Sequence, residues 1–454
     1  MKKILRTSLI GLAVLALVLT SCAPKPTATP VPAVAKPTAA PAKPTEPPVE
    51  EKVTINWWTC WNPGERYADW CQLCADGFEK ETGHKVEVTF NGRDNQTKLR
   101  TALSAGTKVD LMDQDAYQVA GGLVAANEGY PLDDFLDADA WGEPGTAFRD
   151  IFYAGLLEQY MLEGKTYLVP HTLITMAFWY DKRDFRAAGV EVPKTWSEYL
   201  DVCEKIKAVG IAPIAQDASV GMYACFWFYH LVQRMKGNGF LLSAAEDKTG
   251  AKWDDPAFLQ AAQMERELWD KGYVVEGAEG FTWPQGQATL AEDVSAMELC
   301  GSWLPNELAD IVDPEFEWGG FAFPAVEGGV GKNTDMEAYM MSFLILKDAP
   351  HPSVAFELIQ YCLTKENQQT LADMTANAAA RKDIDWPGVI ADGGQMFANV
   401  TGTFDGFDGV GTKHAEYYAE ILLPNHGEMF VGTITPEEFV ARMKAETMTY
   451  WETH

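Results

Sequence analysis

The sequence predicts an α/β protein with a parallel sheet and two lobes. One observation is a strand-helix-strand-helix-strand series that begins near Val53. Such a series implies a parallel sheet with helices on its faces. The other is length, because the roughly 400 residues from Val53 to His454 exceed what one compact core usually covers. With 47% hydrophobic residues, the chain has the composition of a globular protein.

The series that opens this region has clear boundaries. The predicted elements are a strand at 53–58, a helix with an apolar stripe from Tyr67 to Phe78, a strand at 85–90, a helix at 96–105 and a strand at 109–112. Gly83 and Gly106 end the two helices. Ligands of parallel sheets bind beyond the carboxyl ends of the strands. The residues that follow these ends are therefore candidate ligand contacts, namely Trp61, Glu65, Asp113, Gln114 and Asp115.

A second series starts near Lys165 with two extended runs. They are broken at Pro170 and His171, which predicts a crossover between the lobes. Thr195 with Glu198 predicts a capping box at the start of the next helix. Further predictions are strands at 295–299 and 339–346 and helices at 304–311, 353–363 and 437–449, the last opened by Thr435.

The first 21 residues have the layout of a secretory signal. Lys2, Lys3 and Arg6 precede an apolar run from Leu9 to Leu19. This run is shorter than the roughly 20 apolar residues that a membrane span requires. The letters LTSC that end at Cys22 resemble a bacterial lipobox. The resemblance implies that residues 1–21 are removed and that Cys22 becomes a lipidated first residue.

Residues 22–52 are predicted to be a linker. Nine of the 25 prolines lie between Ala23 and Glu50, together with many Thr and Ala residues. Proline-rich segments favour extended polyproline II rather than a core. We therefore expect a stalk that holds the globular region away from a membrane.

The charge balance narrows the range of partners. The chain carries 36 basic and 65 acidic residues, a net charge of −29. This charge repels phosphate backbones and anionic lipid headgroups, so we expect no nucleic-acid partner. A neutral or cationic ligand is more compatible with this negative charge than an anionic one.

From residue 53 onward the chain resembles family 1 of the extracellular solute-binding proteins, the maltose-binding-protein-like carbohydrate receptors of ABC importers. The most specific stretch is GKTYLVPHTLITMAFWYDKRDFRAAGVEVPKTWSEYLDVCEKIKAVGIAPIA; TGHKVEV, LRTALSAGTKVDLMD, SAMELCGSW and PSVAFELIQYCLTKENQQTLADM support it. The resemblance implies a two-lobed periplasmic-binding-protein fold of type II, with lobes joined by hinge crossovers. Matched segments imply one lobe from residues 53–170 plus 325–376 and the other from 171–324 plus 377–454.

The same resemblance implies a function. The protein is expected to be an exported lipoprotein on the outer face of the cytoplasmic membrane that captures a sugar or oligosaccharide by hinge closure and delivers it to permease subunits. It also implies a monomer that uses no cofactor and catalyses no reaction.

Sugar recognition requires flat aromatic rings for C–H faces and polar side chains for hydroxyl groups. Among the 15 tryptophans, Trp61 follows a strand, Trp227 lies in an aromatic run, and Trp303 matches a family segment whose tryptophan stacks on sugar. The polar and remaining candidates are Glu65, Asp113, Gln114, Asp115, His171, Tyr339 and Arg381. His171 is chosen for the predicted crossover, and Arg381 for a family segment that lines the cleft.

Seven cysteines follow Cys22. In an exported protein they favour a structural disulfide, and Cys60 with either Cys71 or Cys74 is the local choice. Cys71 and Cys74 imitate the W-C-x-x-C motif of thioredoxins, but both fall in the apolar stripe of a helix, which argues against redox catalysis. A zinc site on these three cysteines lacks an evident fourth ligand.

Enzymatic functions find little support. The chain has no H-E-x-x-H, G-x-S-x-G, Walker or G-x-G-x-x-G motif. A surface-anchored glycoside hydrolase stays open, because it needs only two suitably spaced carboxylates among 65 acids. A receptor for another polar solute, such as a peptide, is the second alternative.

Overall fold

The strand-helix-strand-helix-strand series is present at the start of the described chain. In this computed structural model, residues 51–153 and 155–454 are described. The predicted signal segment, Cys22 and the proline-rich tract up to residue 50 lie outside the described residues. None of the described helices combines the length and apolar composition needed to cross a bilayer.

The described residues contain fourteen strands, numbered in chain order. They are β1 (Thr54–Thr59), β2 (Lys85–Phe90), β3 (Leu111–Asp115), β4 (Asp139–Ala140), β5 (Glu143–Ala147), β6 (Leu168–Ile174), β7 (Met176–Asp181), β8 (Ala212–Ile214), β9 (Ser295–Gly301), β10 (Trp318–Phe321), β11 (Asp335–Glu337), β12 (Tyr339–Ile345), β13 (Ala378–Ala379) and β14 (Gly402–Phe404).

The same residues contain seventeen α-helical segments. They are α1 (Arg66–Thr82), α2 (Asn95–Ser104), α3 (Ala116–Val119), α4 (Lys182–Ala188), α5 (Trp196–Ala208), α6 (Gly221–Lys236), α7 (Phe240–Ala245), α8 (Pro256–Asp270), α9 (Gln285–Ala291), α10 (Leu304–Glu307), α11 (Pro352–Cys362), α12 (Lys365–Thr375), α13 (Ala391–Ala398), α14 (Val410–Lys413), α15 (Ala415–Tyr417), α16 (Leu423–Phe430) and α17 (Pro436–Thr453).

The larger sheet has six strands in the order β13-β6-β12-β3-β1-β2. Strand β1 pairs in parallel with β2 and β3, as predicted, whereas β12 runs antiparallel to its neighbours β3 and β6. Helix α1 covers this sheet with its predicted apolar stripe, and its Trp70 ring packs 6.5 Å from that of Phe343 in β12. Trp57, Trp70 and Phe343 belong to one buried hydrophobic cluster, called here the first core.

The smaller sheet has four strands in the order β10-β7-β9-β8. Strand β9 is parallel to β8 and antiparallel to β7. Helix α6 packs on this sheet, with the rings of Trp227 and Phe178 5.3 Å apart. Together with Phe323, these residues belong to a second and larger hydrophobic cluster, the second core. The second core also contains Met112 and Leu344 of the larger sheet, so it extends from the smaller sheet to one face of the larger one, whereas the first core covers the other face.

The chain passes from the larger to the smaller sheet at Thr175, between β6 and β7. The predicted break at Pro170 and His171 is therefore wrong. Pro170 lies inside β6, where Met341 pairs with Thr172 and Ser342 with Pro170, so His171 is the extra residue of a bulge. A bulge accommodates a proline that cannot donate a ladder hydrogen bond.

The chain later returns from the smaller sheet to the larger one. It leaves the smaller sheet after β10 and rejoins the larger one at β12, with β13 added afterwards. Strand β11, between β10 and β12 in the chain, pairs in parallel with β14, which comes after β13. The residue boundaries proposed for the lobes stay a prediction, but β13 at residues 378–379 pairs with β6 of the larger sheet.

Most predicted elements are present within a few residues. The capping boxes of α5 and α17 are both formed, at Thr195 and Thr435. Strand β3 is an exception, because it extends to Asp115 rather than ending at Met112. Pairing with β12 keeps Asp113, Gln114 and Asp115 in the ladder, so they form the end of the strand instead of following it.

The predicted disulfide between Cys60 and Cys71 or Cys74 is not formed. All seven described cysteines are free and buried. Cys71 and Cys74 point from α1 into the first core. Burial raises the pKa of both thiols well above the ordinary value, which keeps them protonated and unreactive.

Candidate functional site

A cavity of about 540 Å³ opens between the two sheets. Its size is typical of small-molecule sites. It is lined from the larger sheet by Trp61, Gly64, Glu65, Arg66, Tyr67, Arg93, Asp115, Tyr117 and Gln118, from the smaller sheet by Met222, Tyr223, Trp283, Trp303, Asn306, Glu307 and Asp310, and from the connecting strands and their surroundings by Ile174, Tyr339, Met341 and Asn377. The β1 and β3 contributions come from the carboxyl ends of parallel strands, as predicted for such a sheet.

Trp303 is the aromatic residue that joins the two halves of the cavity. It lies two residues after the end of β9 and is only partly buried. Its ring lies 6.4 Å from Tyr223 and 6.2 Å from Tyr339, measured between centroids. It packs against both the first and the second core. Gly301 makes this position possible, because a Cβ atom there would overlap the Trp303 ring.

Trp283 is the most exposed aromatic ring of the cavity, with 51% of its surface accessible. Its indole Nε1 donates a hydrogen bond of 3.2 Å to Glu307 Oε2, which fixes the edge of the ring. An exposed tryptophan in a cavity offers an apolar face to a ligand. Sequence reasoning missed Trp283, although FTWPQG places this tryptophan beside a proline, a residue that marks turns and loops.

Trp61 lines the cavity but has little open surface. Its ring stacks on Tyr67 at 4.0 Å with an angle of 6° between the planes, and the Arg93 guanidinium lies over the ring at 4.7 Å. Only 8% of the residue is exposed. In this arrangement protein groups occupy the Trp61 ring, so Trp303 and Trp283 are better placed to stack on a ligand.

Carboxylates lie on both sides of the cavity. Asp115 at the end of β3 accepts hydrogen bonds from the Tyr339 hydroxyl and, at 2.9 Å, from Gln118 Nε2. Burial raises the pKa of Asp115 to about 6, although the positive charge of Arg93 opposes this shift. Glu65 accepts a hydrogen bond of 3.0 Å from Arg93 and another of 2.7 Å from Asn62.

Asp113, Gln114 and His171 do not line the cavity. All three are buried, at 0%, 2% and 0% exposed. Asp113 accepts a 2.7 Å hydrogen bond from Trp57 Nε1, and Gln114 accepts one from the backbone N–H of Gln96 at 3.2 Å. Burial raises the pKa of Asp113 to about 7 and lowers that of His171 to about 3, so the 3.8 Å approach of these side chains is not a charged ion pair near neutral pH.

Trp227 and Arg381 also lie away from the cavity. Trp227 is 1% exposed inside α6, and its Nε1 donates to Gln216 Oε1 at 2.8 Å. Arg381 is 1% exposed and forms ion pairs of 2.8 Å with Glu143 and with Asp383. These partners assign both residues to packing within the protein. No described group of three or more His, Cys, Asp or Glu side chains is arranged to hold a metal ion.

Residues 62–369 match the family model of the bacterial extracellular solute-binding proteins, which is more than half of the 454-residue chain. The chain belongs to this family.

Relatives of this solute-binding protein are distant in sequence but cover most of its length. A multiple sugar-binding protein of Streptococcus mutans is 24% identical over 351 residues, covering 74% of this chain and 77% of the relative. An uncharacterized ABC transporter extracellular-binding protein of Pyrococcus horikoshii is also 24% identical, over 437 residues and 93% of both chains. A solved chitin oligosaccharide binding protein has the same fold, with a TM-score of 0.70, 22% identity and coverage of 87% of this chain and 98% of that one.

A second cavity of the solute-binding protein, of about 440 Å³, differs in chemistry from the first. It is lined by Arg100, Leu103, Ser104, Gly106, Thr107, Lys108, Val109, Ala126, Glu128, Leu346, Lys347 and Asp348. None of these residues is aromatic, and none comes from the smaller sheet. The cavity between the sheets is therefore the better candidate for the solute site.

Proposed function

We propose that this protein is the sugar-binding receptor of an ABC importer, which captures a sugar or oligosaccharide between its two lobes and delivers it to permease subunits. Membership of the family and the similarity to a multiple sugar-binding protein and to an ABC transporter extracellular-binding protein support the proposal. The observation that carries it is the composition of the cavity. Trp303 and Trp283 supply flat apolar faces, and Asp115, Glu307 and Asn306 supply polar groups around them.

Lobe closure around the sugar is the proposed mechanism. The cavity walls come from different sheets, so a ligand that touches both walls favours the conformation in which they are close. Among the described residues that line the cavity, one ion pair connects the two walls. It joins Arg66 and Asp310 at 3.8 Å. These side chains are 48% and 93% exposed, and an exposed pair contributes little to stability. This ion pair therefore adds little to closure, and we propose that contacts between the sugar and both walls favour the closed conformation.

The hinge is proposed to include Thr175 and the ribbon of β11 and β14. Thr175 stands between strands of the two sheets, and its backbone carbonyl accepts a hydrogen bond of 2.9 Å from the Ser302 N–H. We propose lobes of residues 53–174 plus 339–379 and of residues 176–334 plus 402–454. This division follows the sheet to which each strand belongs.

Membrane attachment through Cys22 is a further part of the proposal. The basic, apolar and LTSC segments before Cys22 and the proline-rich tract after it support a lipid anchor with a stalk. A Cys22→Ala variant is expected to lose the labelling by a radioactive fatty acid that the parent shows in cells, while keeping its sugar affinity. Labelling of this variant equal to that of the parent would contradict the anchor.

Ligand screening tests the proposed function. The unlipidated Cys22→Ala protein is heated with sugars, peptides and polyols, and the melting temperature is measured. A saccharide at 100 times its dissociation constant should stabilise the folded state by about 2.7 kcal/mol. Stabilisation by peptides alone would favour the peptide-receptor alternative, and no stabilisation by any saccharide would contradict the proposal.

A hydrolysis assay on the same saccharides separates the receptor from a glycoside hydrolase. The receptor is expected to return each saccharide unchanged after prolonged incubation. Shortened products that disappear in an Asp115→Asn or Glu307→Gln variant would show that the cavity carboxylates are catalytic.

A further inference from the structure

The cavity carries more negative than positive charge. Four acids line it, Glu65, Asp115, Glu307 and Asp310, against two arginines, Arg66 and Arg93. Arg93 pairs with Glu65 at 3.0 Å and Arg66 with Asp310 at 3.8 Å. Among the described residues, Asp115 and Glu307 have no ion-pair partner within 4.0 Å, and they lie on opposite walls of the cavity.

Both of these carboxylates are held in surroundings that disfavour their charged form. Asp115 is partly buried, and burial raises its pKa to about 6. Glu307 remains open to the cavity, yet the protein around it also raises its pKa. Arg93 acts against both shifts, but loss of hydration outweighs its charge. A ligand cation would restore the compensation that the protein does not provide.

Two hydrogen-bond acceptors without a partner indicate independently that the ligand supplies donors. Asn377 lines the cavity at 1% exposed, and its Oδ1 has no described hydrogen-bond partner. The assignment of this atom is supported because Nδ2 donates to the Thr375 carbonyl at 2.9 Å. Asn306 Oδ1, also at the cavity, is likewise buried and unpartnered within the described chain. A buried acceptor without a donor is costly, so the ligand is expected to bring donors.

We infer that the ligand is an amino sugar, a saccharide with a protonated amino group that binds between Asp115 and Glu307. This inference rests on the proposed function and narrows its substrate class. An ammonium group offers three N–H donors and no acceptor, which matches a cavity rich in acceptors. Charge-assisted hydrogen bonds to carboxylates are roughly twice as strong as neutral ones. The sugar rings stack on Trp303 and Trp283 in the same complex.

The charges in the cavity also predict an order of affinity for other saccharides. A neutral sugar leaves both carboxylates without an ion-pair partner when it displaces water from the cavity. A uronic acid adds a third negative charge to the same space, which repels it. We therefore expect amino sugars to bind more tightly than neutral sugars, and uronic acids to bind least tightly.

Calorimetric titration at pH 7 tests this order with three probes of equal length: β-1,4-linked glucosamine oligomers, their N-acetylated counterparts and galacturonic acid oligomers. The full-length Cys22→Ala protein is used. The glucosamine oligomer is expected to bind at least tenfold more tightly than the N-acetylated one, because acetylation removes the charge and two of the three ammonium N–H donors. Equal or tighter binding of the N-acetylated oligomer, or of the galacturonic acid oligomer, overturns the inference and leaves the proposed function intact.

Variants of the two carboxylates test whether they bind the ammonium group. Glu307→Gln retains an acceptor for Trp283 Nε1 but removes the charge, and Asp115→Asn does the same for Tyr339. Each is expected to weaken binding of the glucosamine oligomer at least fivefold more than it weakens binding of the N-acetylated oligomer, because only the glucosamine oligomer carries the positive charge. Glu452→Gln makes the same charge change on an exposed residue of α17 that does not line the cavity, and it should change neither affinity.

Melting temperatures measured for all variants separate loss of the site from loss of folding. A folded Glu307→Gln and a folded Asp115→Asn that both bind the glucosamine oligomer like the parent overturn the inference. If no saccharide of any charge produces heat or stabilisation, the proposed function fails together with it.

Discussion

The indole of Trp303 packs against both hydrophobic cores and also faces the cavity. A ring in this position responds to a ligand and to the relative placement of the two lobes. Trp227, in contrast, lies wholly inside the second core and is 1% exposed. Replacing each of these tryptophans by Ala therefore separates an effect on sugar binding, expected at Trp303, from an effect on folding, expected at Trp227.

Replacement of Trp303 by Ala is expected to reduce sugar affinity about thirtyfold or more, because truncation of a central aromatic contact costs roughly 2 kcal/mol or more. The melting temperature of the empty protein should change by only a few degrees, since the ring is partly exposed. Calorimetric titration and thermal unfolding measure the two effects.

Trp227→Ala is the matched control. It leaves a cavity inside the second core and is expected to cost about 3 to 5 kcal/mol of folding free energy. A Trp303→Ala protein that unfolds as readily as Trp227→Ala would mean that Trp303 is chiefly a core residue.

At the scale of elements, the junction between β9 and α10 places Trp303. Strand β9 ends at Gly301, where the absence of a Cβ atom lets the indole lie against the backbone. Gly301→Ala is expected to displace the ring and to weaken sugar binding at least tenfold. Titration of the folded variant checks this result, and an unchanged affinity would show that the ring position is not required.

Gly427→Ala provides a control for the effect of adding a methyl group. A Cβ atom at Gly427, inside α16, meets no atom within 4 Å. This variant should bind sugar like the parent, and the helix interior should gain about 0.5 to 1 kcal/mol of stability because Ala favours helix more than Gly does.

The elements were largely predictable from sequence, whereas the inward or outward direction of individual side chains was not. Alternation along β3 places Asp113 and Asp115 on one face and Gln114 on the other, yet only Asp115 reaches the cavity. How far a strand extends before its side chains leave the core depends on the partner strand, here β12, which is distant in the sequence.

The site residues, too, were predictable only in part, because sequence does not give the direction of each side chain. The rule that ligands bind beyond the ends of parallel strands selects Trp61, Glu65 and Asp115, which line the cavity. It gives no information about a bulge at His171 or about the ion pairs that bury Arg381. Trp283 escaped prediction because loops have no periodicity that indicates which side chains converge. Glu307 escaped it because the helix predicted at 304–311 does not indicate which of its side chains faces a cavity.

At the scale of the whole molecule, buried acids make stability depend on pH. Burial raises the pKa of Glu337 to about 8, with Asp405 adding to the shift. The Tyr229 hydroxyl donates to Glu337, which acts against it, and His230 Nε2 lies 3.8 Å away. Burial lowers the pKa of His230 to about 3, so this imidazole stays neutral above pH 6.5.

The sign of the effect follows from proton binding. Between its ordinary pKa and about 8, Glu337 holds a proton in the folded state that it loses on unfolding, so stability falls as pH rises through this range. Asp113, with a pKa of about 7, acts in the same direction. The melting temperature should decrease from pH 6.5 to pH 8.5, with Glu337 accounting for about 2 kcal/mol.

Thermal unfolding of a Glu337→Gln variant across this pH range checks the assignment. The neutral amide can still accept the Tyr229 hydrogen bond, so the variant should fold and lose less stability at high pH than the parent. Glu452→Gln, an exposed change, should keep the full decrease. Equal slopes for Glu337→Gln and the parent would contradict the role of Glu337.

Capture of a saccharide by closure of the two lobes is tested most directly by a distance measured across the cavity. Asp69 on α1 and Asp313 beyond α10 are exposed and lie near Arg66 and Asp310 on opposite sides. In a Cys22→Ala background, cysteines at these positions accept spin labels while the seven buried thiols are shielded. Double electron–electron resonance should show a shorter and narrower distance distribution when a saccharide that stabilises the protein is added. An unchanged distribution at saturating saccharide would contradict closure.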